Sequence, residues 1–86
     1  MDPQSVTILF IVNGEDVPVD AHLDAPLAAA RDRALQVSRN TSRPPNEWEV
    51  RDQKGVLLPV EQPVGSFRFP PHVKLFLSLK VGAGGA

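Results

Sequence analysis

The chain of 86 residues contains no cysteine, and this absence excludes several classes of function at once. Without thiols there are no disulfides, no thiolate nucleophiles and no zinc–thiolate or iron–sulfur sites. The formal net charge of -1 lacks the basic excess of a nucleic-acid-binding protein. No apolar run approaches the roughly 18 residues of a membrane-spanning helix, and the first four residues lack the basic start of an export signal. We therefore expect a cytoplasmic protein that binds neither nucleic acid nor membranes.

Proline and glycine are the residues whose placement is informative. The nine prolines divide the chain into short elements, and three of the six glycines lie in the last five positions. A chain of this length holds one domain. We expect a single domain over residues 1–81, followed by a glycine-rich tail over residues 82–86.

The first third of the chain has the pattern of a β-hairpin. Residues 6–12 form an apolar, β-rich run, Asn13-Gly14 follows, and residues 16–23 alternate between apolar and polar side chains. Asn-Gly is the strongest short hairpin signal, because a type I′ turn needs positive φ at both central residues. A two-residue loop pairs Phe10 with Val17, and Pro18 marks the second strand as a sheet edge. One core face results, comprising Val6, Ile8, Phe10, Val17 and Val19.

A helix and further strands follow the hairpin. Asp24 is a candidate N-cap, and apolar residues at helical spacing predict a helix over residues 25–38. Trp48 and Val50 alternate with charged residues as in a short strand with a buried face, and Trp48 reads as a core aromatic. A brief apolar piece at 56–58 precedes an irregular stretch, and residues 73–81 alternate as a final strand. The order ββαββ(β) predicts an α+β fold of β-grasp type, with a mixed sheet packed on one helix and the last strand parallel to the first.

These features together resemble ubiquitin and its relatives over residues 5–85, and within them a bacterial ubiquitin-like protein of a conjugation operon. The resemblance is carried by the Asn13-Gly14 turn, the helix after Asp24, Pro44-Pro45, the last strand and the tail. It implies a protein modifier that is not itself an enzyme, has no catalytic or metal-binding residues, and holds no cofactor. It departs from ubiquitin at the outward positions of the third strand, Glu49 and Arg51, where ubiquitin has an apolar patch.

The resemblance also implies a chemistry for the tail. An E1-like enzyme would use ATP to adenylate the carboxylate of Gly85, next to Gly84, and an E2-like enzyme would pass it to an amine of a target protein. Glycines suit this role because, without Cβ, they fit a narrow channel. Ala86 follows Gly85, so a JAB-type peptidase is expected to remove it first. We expect the modifier to be a monomer.

Strand periodicity indicates a partner-binding surface. Leu9, Ile11 and Phe76 point away from the core, with Lys74 and Lys80 beside them, and exposed apolar clusters with charged rims commonly bind partners. Loops covering these side chains, or a register shifted by one residue, would remove the surface. Lys54, in a predicted turn, is the most accessible acceptor lysine if chains form.

Other interpretations stay open. The same features also fit a sulfur carrier with a C-terminal thiocarboxylate, or an interaction module that never uses its tail. Asp20 and His22 share a strand face but lack a third metal ligand, which favours an ordinary solvated strand end. Four arginines near the helix end suit either an acidic partner or the helix C-terminus: Arg31, Arg33, Arg39 and Arg43.

Overall fold

The computed structural model describes residues 4–80 and has a four-stranded mixed sheet covered on one face by a single helix. The order in the sheet is β2-β1-β4-β3, with β1 and β4 parallel in the middle and the outer pairs antiparallel. This confirms the predicted β-grasp architecture and the central, parallel position of the last strand. The elements are β1 (Ser5–Val12), β2 (Glu15–His22), α1 (Leu27–Val37), β3 (Trp48–Arg51) and β4 (His72–Leu79), with single-turn 3-10 helices at Pro45–Glu47 and Val64–Phe67.

The first hairpin forms in the register that its turn predicts. Asn13 and Gly14 both have positive φ, 51° and 80°, as a type I′ turn requires. Phe10 therefore pairs with Val17, and Ile8 pairs with Val19. The turn thus decides which side chains of the two strands share a face, and the apolar face forms the core.

Pro18 lies where the absence of a backbone N–H costs the sheet nothing. It faces Leu9 in a strand that is an edge of the sheet, as predicted. Counting outward from the two-residue turn, Leu9 and Pro18 form a pair without mutual hydrogen bonds, so the nitrogen of Pro18 faces the free edge. Proline at this position also deprives a foreign strand of a donor, which protects the edge from unwanted pairing.

The start of α1 differs from the prediction, because backbone carbonyls take the place of a capping side chain. The helix begins at Leu27 after Pro26, without a side-chain cap, so the prediction of Asp24 as N-cap is wrong. Leu27 and Ala28 donate their backbone N–H groups to carbonyls of Gln62 and Val60, at 2.9 and 2.8 Å. A distant loop thus satisfies donors that helix starts usually direct to a local side chain.

The end of α1 is a Schellman motif with an unusual residue in its left-handed position. Arg39 has φ 62°, its N–H donates to the Gln36 carbonyl at 3.1 Å, and the N–H of Asn40 donates to the Leu35 carbonyl at 2.8 Å. Glycine is preferred at this place because other L-residues pay a steric cost there. The basic residue at the helix end therefore occupies a strained backbone position.

Replacing Arg39 by glycine should stabilise the protein. We expect Arg39→Gly to raise the free energy of unfolding by about 0.5–1 kcal/mol, since relief of the left-handed strain outweighs the added freedom of the unfolded chain. Urea unfolding followed by the fluorescence of the single tryptophan measures this change. Arg39→Ala is the control and should gain nothing; an equal gain in both variants would assign the effect to the lost charge.

The core lies between the sheet and α1 and contains the predicted face of the hairpin. Ile8 and Phe10 are fully buried, Val17 and Val19 nearly so, and Trp48 is 5% exposed, as expected for a core aromatic. Val6 is half-buried and packs against the core. The sequence therefore predicted the inward face of the first two strands correctly.

Three details of the later chain differ from the sequence pattern. Val37, an apolar residue at the end of α1, is 54% exposed, and Leu79, on the inward side of β4, is 40% exposed near the end of the sheet. Residues 56–58 contribute one isolated bridge, between Leu57 and Arg51, and not a strand. Phe67 and Phe69 stack with ring centroids 5.1 Å apart and pack against the core.

Candidate functional site

The predicted reactive tail follows a strand that is paired on both sides. β4 pairs with β1 on one side and β3 on the other, and the N–H of Lys80 donates to the Glu47 carbonyl at 2.8 Å. Gly84, Gly85 and Ala86 lie outside the described residues. The structure therefore fixes the point from which the tail leaves, at the carboxyl end of a central strand.

The three apolar side chains of the predicted partner surface come together on the outer face of the sheet. Leu9, Ile11 and Phe76 form this outer-face cluster. In the parallel register Ile11 lies opposite Phe76, and Leu9 lies opposite Lys74, while their chain neighbours Ile8, Phe10 and Leu75 point into the core. Phe76 is 38% exposed, and Leu9 and Ile11 are half-buried.

The lysines predicted to flank this cluster are placed differently from each other. Lys74 is exposed and lines a shallow groove of about 370 Å³ on the outer face with Leu9 and Pro18. Lys80 lines a second groove, beside the edge of β3, together with Arg31 and Trp48. Lys74 thus borders the outer-face cluster, whereas Lys80 lies with the tail exit and the β3 edge.

Lys54 is exposed on a tight turn, as the sequence predicts. The carboxylate of Asp52 accepts the backbone N–H groups of Lys54 and Val56, at 2.9 and 3.0 Å, and Gly55 has φ 83°. The carboxylate and the glycine together hold the turn, leaving the side chain of Lys54 directed to solvent. Lys74 and Lys80 are exposed as well, so the choice of Lys54 as the most accessible acceptor stays a prediction.

The outer-face cluster lies between charges of opposite sign. Ile11 pairs with Asp16 on β2, and Phe76 pairs with Arg51 on β3. Arg51 Nη2 is 2.8 Å from Glu49 Oε2, and its Nη1 donates to the Gly55 carbonyl at 2.8 Å. The β2 side of the face is therefore acidic, while the β3 side presents a guanidinium held in place by its own strand and turn.

Arg31 lies in a different environment from the one that the sequence predicts. It was expected among basic residues at the helix end, yet its side chain is only 8% exposed. Its Nε donates to Asp32 Oδ1 at 2.9 Å, and its Nη1 reaches the Trp48 carbonyl at 3.5 Å, on the side of β3 away from β4. The spacing of Arg31 from Leu27 and Leu35, four residues each way, was the available signal for a place on the buried face.

Truncation of this buried arginine should weaken the fold. Arg31→Ala removes the stem that fills the space between α1 and β3 and leaves the Trp48 carbonyl without its donor, so we expect a loss of about 1–3 kcal/mol in unfolding free energy. Thermal unfolding followed by circular dichroism checks it. Arg33→Ala, exposed on the same helix, is the matched control and should change stability by about 0.5 kcal/mol or less. Equal losses would contradict a packing role for Arg31.

The remaining polar candidates do not assemble into a site. His22 Nδ1 accepts the backbone N–H of Asp24 at 3.2 Å, and Asp20 accepts a hydrogen bond from the Thr7 hydroxyl at 3.2 Å. Within residues 4–80 no group of three potential metal ligands is found. Across the same residues, no helix is long and apolar enough to cross a membrane.

Comparison with known proteins relates the chain to one sequence family. Residues 1–85 match the model of the family described as "Protein of Unknown function (DUF2604)". The chain is also 38% identical over 84 residues to the uncharacterized protein y4jI of Sinorhizobium fredii, strain NBRC 101917 / NGR234. The match covers 98% of this chain but only 65% of that relative, so the chain spans less than two thirds of the relative's length.

Solved structures agree with the β-grasp architecture. The ubiquitin of Caldiarchaeum subterraneum superposes with a TM-score of 0.73 at 17% identity, covering 93% of this chain and 99% of that one. A structure described as "Molecular Mimicry of SUMO promotes DNA repair" superposes at 0.76 with 14% identity, covering 92% and 96%. At such identities the likeness establishes the fold, which is ubiquitin-like.

Proposed function

The chain belongs to the DUF2604 family and has a ubiquitin-like fold, and from this we propose that it is a protein modifier joined to target amines through the carboxylate of Gly85. The fold is typical of non-enzymatic modifiers. The observation that carries the proposal is the glycine-rich tail directly after β4, a strand held on both sides in the middle of the sheet. The family match runs to residue 85 and so includes both Gly84 and Gly85.

The proposed reaction sequence uses the partners' chemistry and this chain's carboxylate. A JAB-type peptidase hydrolyses the Gly85–Ala86 bond, and the carboxylate formed attacks the α-phosphorus of ATP in an E1-like enzyme, releasing pyrophosphate. A cysteine thiolate of that enzyme displaces AMP to form a thioester, which is exchanged onto an E2-like enzyme. The amine of a target lysine then attacks the thioester carbonyl, forming an isopeptide bond and freeing the thiol. Because adenylation consumes ATP, the proposal places the protein in the cytoplasm.

The arrangement of the described residues supports a protein in which the folded domain is recognised and the tail reacts. Two-sided pairing of β4 gives the tail a rigid origin, so an enzyme that grips the domain also positions the chain leaving Lys80. Glycine in the tail accepts backbone conformations closed to other residues, which favours passage through a narrow channel. We assign recognition by the partner enzymes to the outer-face cluster with Lys74 beside it, and to Lys80 at the tail exit.

Mass spectrometry of conjugates tests the proposal directly. Lys80 is the last basic residue, so trypsin would leave the branch Val-Gly-Ala-Gly-Gly on each modified lysine. Affinity-tagged chain is produced in its native cells, purified under denaturing conditions, digested and searched for that branch. Modified lysines carrying it support conjugation through Gly85. If no modified lysine carries this branch in cells where the tagged chain remains functional, the proposal is wrong.

Two altered forms of the chain distinguish the processing step from conjugation, and conjugation from sulfur transfer. Ala86→Pro should accumulate uncut, while a chain ending at Gly85 should conjugate without the peptidase. Replacement of one terminal oxygen by sulfur in the intact mass, with no branched peptides, would identify the sulfur carrier instead. Conjugation of Ala86→Pro at the normal level would overturn the assignment of the cut.

A further inference from the structure

The registers of the sheet align four side chains of the outer face in one row across all four strands. The row runs Asp16 on β2, Ile11 on β1, Phe76 on β4 and Arg51 on β3, each opposite the next. It begins with an anion, passes through two apolar side chains and ends with a cation. Such a row is complementary to its own reverse.

We infer that the outer face of the sheet binds a second copy of this chain, forming a weak two-fold dimer. A two-fold axis parallel to the strands, between β1 and β4, turns one sheet to face the other with the row reversed. Asp16 then meets the second copy's Arg51, and Ile11 meets the second copy's Phe76. Both contacts occur twice, as an isologous interface requires. Two sheets stacked in this way keep their strands roughly aligned.

The charges at the two ends of the row, Asp16 and Arg51, are accessible to a second copy. Asp16 is exposed, and within residues 4–80 its carboxylate has no side-chain partner. The guanidinium of Arg51 is already fixed by Glu49 and the Gly55 carbonyl, and its side chain remains 42% exposed. A held cation loses little side-chain freedom when a carboxylate from outside approaches it.

The available area limits the strength of the dimer. Three eight-residue strands and the four-residue β3 present at most about 450 Å² of sheet face, so the pair buries about 900 Å², in the range of weak, transient complexes. We therefore expect a dissociation constant on the order of 0.1 mM, with monomer prevailing in dilute solution. The same face is assigned above to partner enzymes, so dimer and enzyme complex exclude each other, yet the dimer does not depend on conjugation.

Sedimentation and exchange of labelled chains test the dimer. The weight-average mass of the chain should rise from monomer towards dimer between about 10 µM and 1 mM, and less so at high salt, where charge pairs are screened. In a mixture of isotope-labelled and unlabelled chains, filtered nuclear Overhauser effects should connect Ile11 of one copy with Phe76 of the other. A constant monomer mass up to 1 mM would overturn the inference.

Four variants locate the interface, and a check of folding accompanies each. Phe76→Ser should remain monomeric at all concentrations, whereas Val37→Ser, the same kind of change on the exposed helix side, should dimerise normally. Asp16→Arg should abolish the rise in mass, and the double change Asp16→Arg with Arg51→Asp should restore it. Circular dichroism and Trp48 fluorescence confirm that each variant is folded. A folded double variant that stays monomeric, or a dimer that survives Phe76→Ser, would refute this row as the contact.

Discussion

A chain carrying Gly85→Val should form adducts about 100-fold more slowly than the unchanged chain, or not at all. Valine adds a branched side chain and loses the freedom of φ that glycine has, so its carboxylate is displaced from the α-phosphorus of ATP. A displacement of about 1 Å at a reacting centre costs on the order of 100-fold in rate. The measurement is release of pyrophosphate with the activating enzyme, together with the yield of branched tryptic peptides from cells.

Ala29→Val is the matched control for this change. It adds the same branched side chain at an exposed position of α1, far along the chain from the tail. Its adduct yield should equal that of the unchanged chain. Adducts of normal yield from Gly85→Val, now carrying valine at the branch, would show that the enzyme does not select glycine and would remove the main support for the proposed tail chemistry.

Phe10→Ala should cost about 3–5 kcal/mol of unfolding free energy, the typical cost of deleting a buried aromatic ring. Phe10 is fully buried on β1, the strand that joins the hairpin to β4. A domain of this size is expected to have about 4–13 kcal/mol in total. The variant therefore loses a large fraction of its stability, which urea titration at 25 °C measures directly.

Phe76→Ala applies the same substitution to the other face of the sheet. Phe76 is 38% exposed, so its truncation opens to solvent instead of leaving a cavity, and we expect a loss of about 1 kcal/mol. The difference between the two variants tests the assignment of inner and outer faces. Equal losses of unfolding free energy in the two variants would mean that Phe10 and Phe76 are equally buried, which contradicts the register described.

The parts of the fold that follow from neighbouring residues were predictable. The Asn13-Gly14 turn fixes both strands of the hairpin, because its backbone angles allow a single pairing register. Alternation in β4 identified a strand suited to the middle of the sheet. The start of α1 was not predictable in the same way, since the acceptors for Leu27 and Ala28 come from residues more than 30 positions further along.

The candidate site was predictable in its members but not in its arrangement. Strand periodicity alone placed Leu9, Ile11 and Phe76 on one face, and the structure brings them together. The charges that border them depend on pairings across three interfaces, so Asp16 and Arg51 could not be assigned to one row from the sequence. Arg31 was misplaced because an arginine is rarely buried, although its spacing was that of the buried helix face.

The position of β4 between β1 and β3 has a consequence for the order of folding. Without β4, β3 has no strand to pair with, and β1 and β2 form an isolated hairpin, which is marginally stable in water. The central strands β1 and β4 come from the two ends of the domain, so their pairing has a high contact order. We expect this pairing to form slowly and late in folding. During synthesis the domain therefore completes its sheet only once the residues next to the tail have been made.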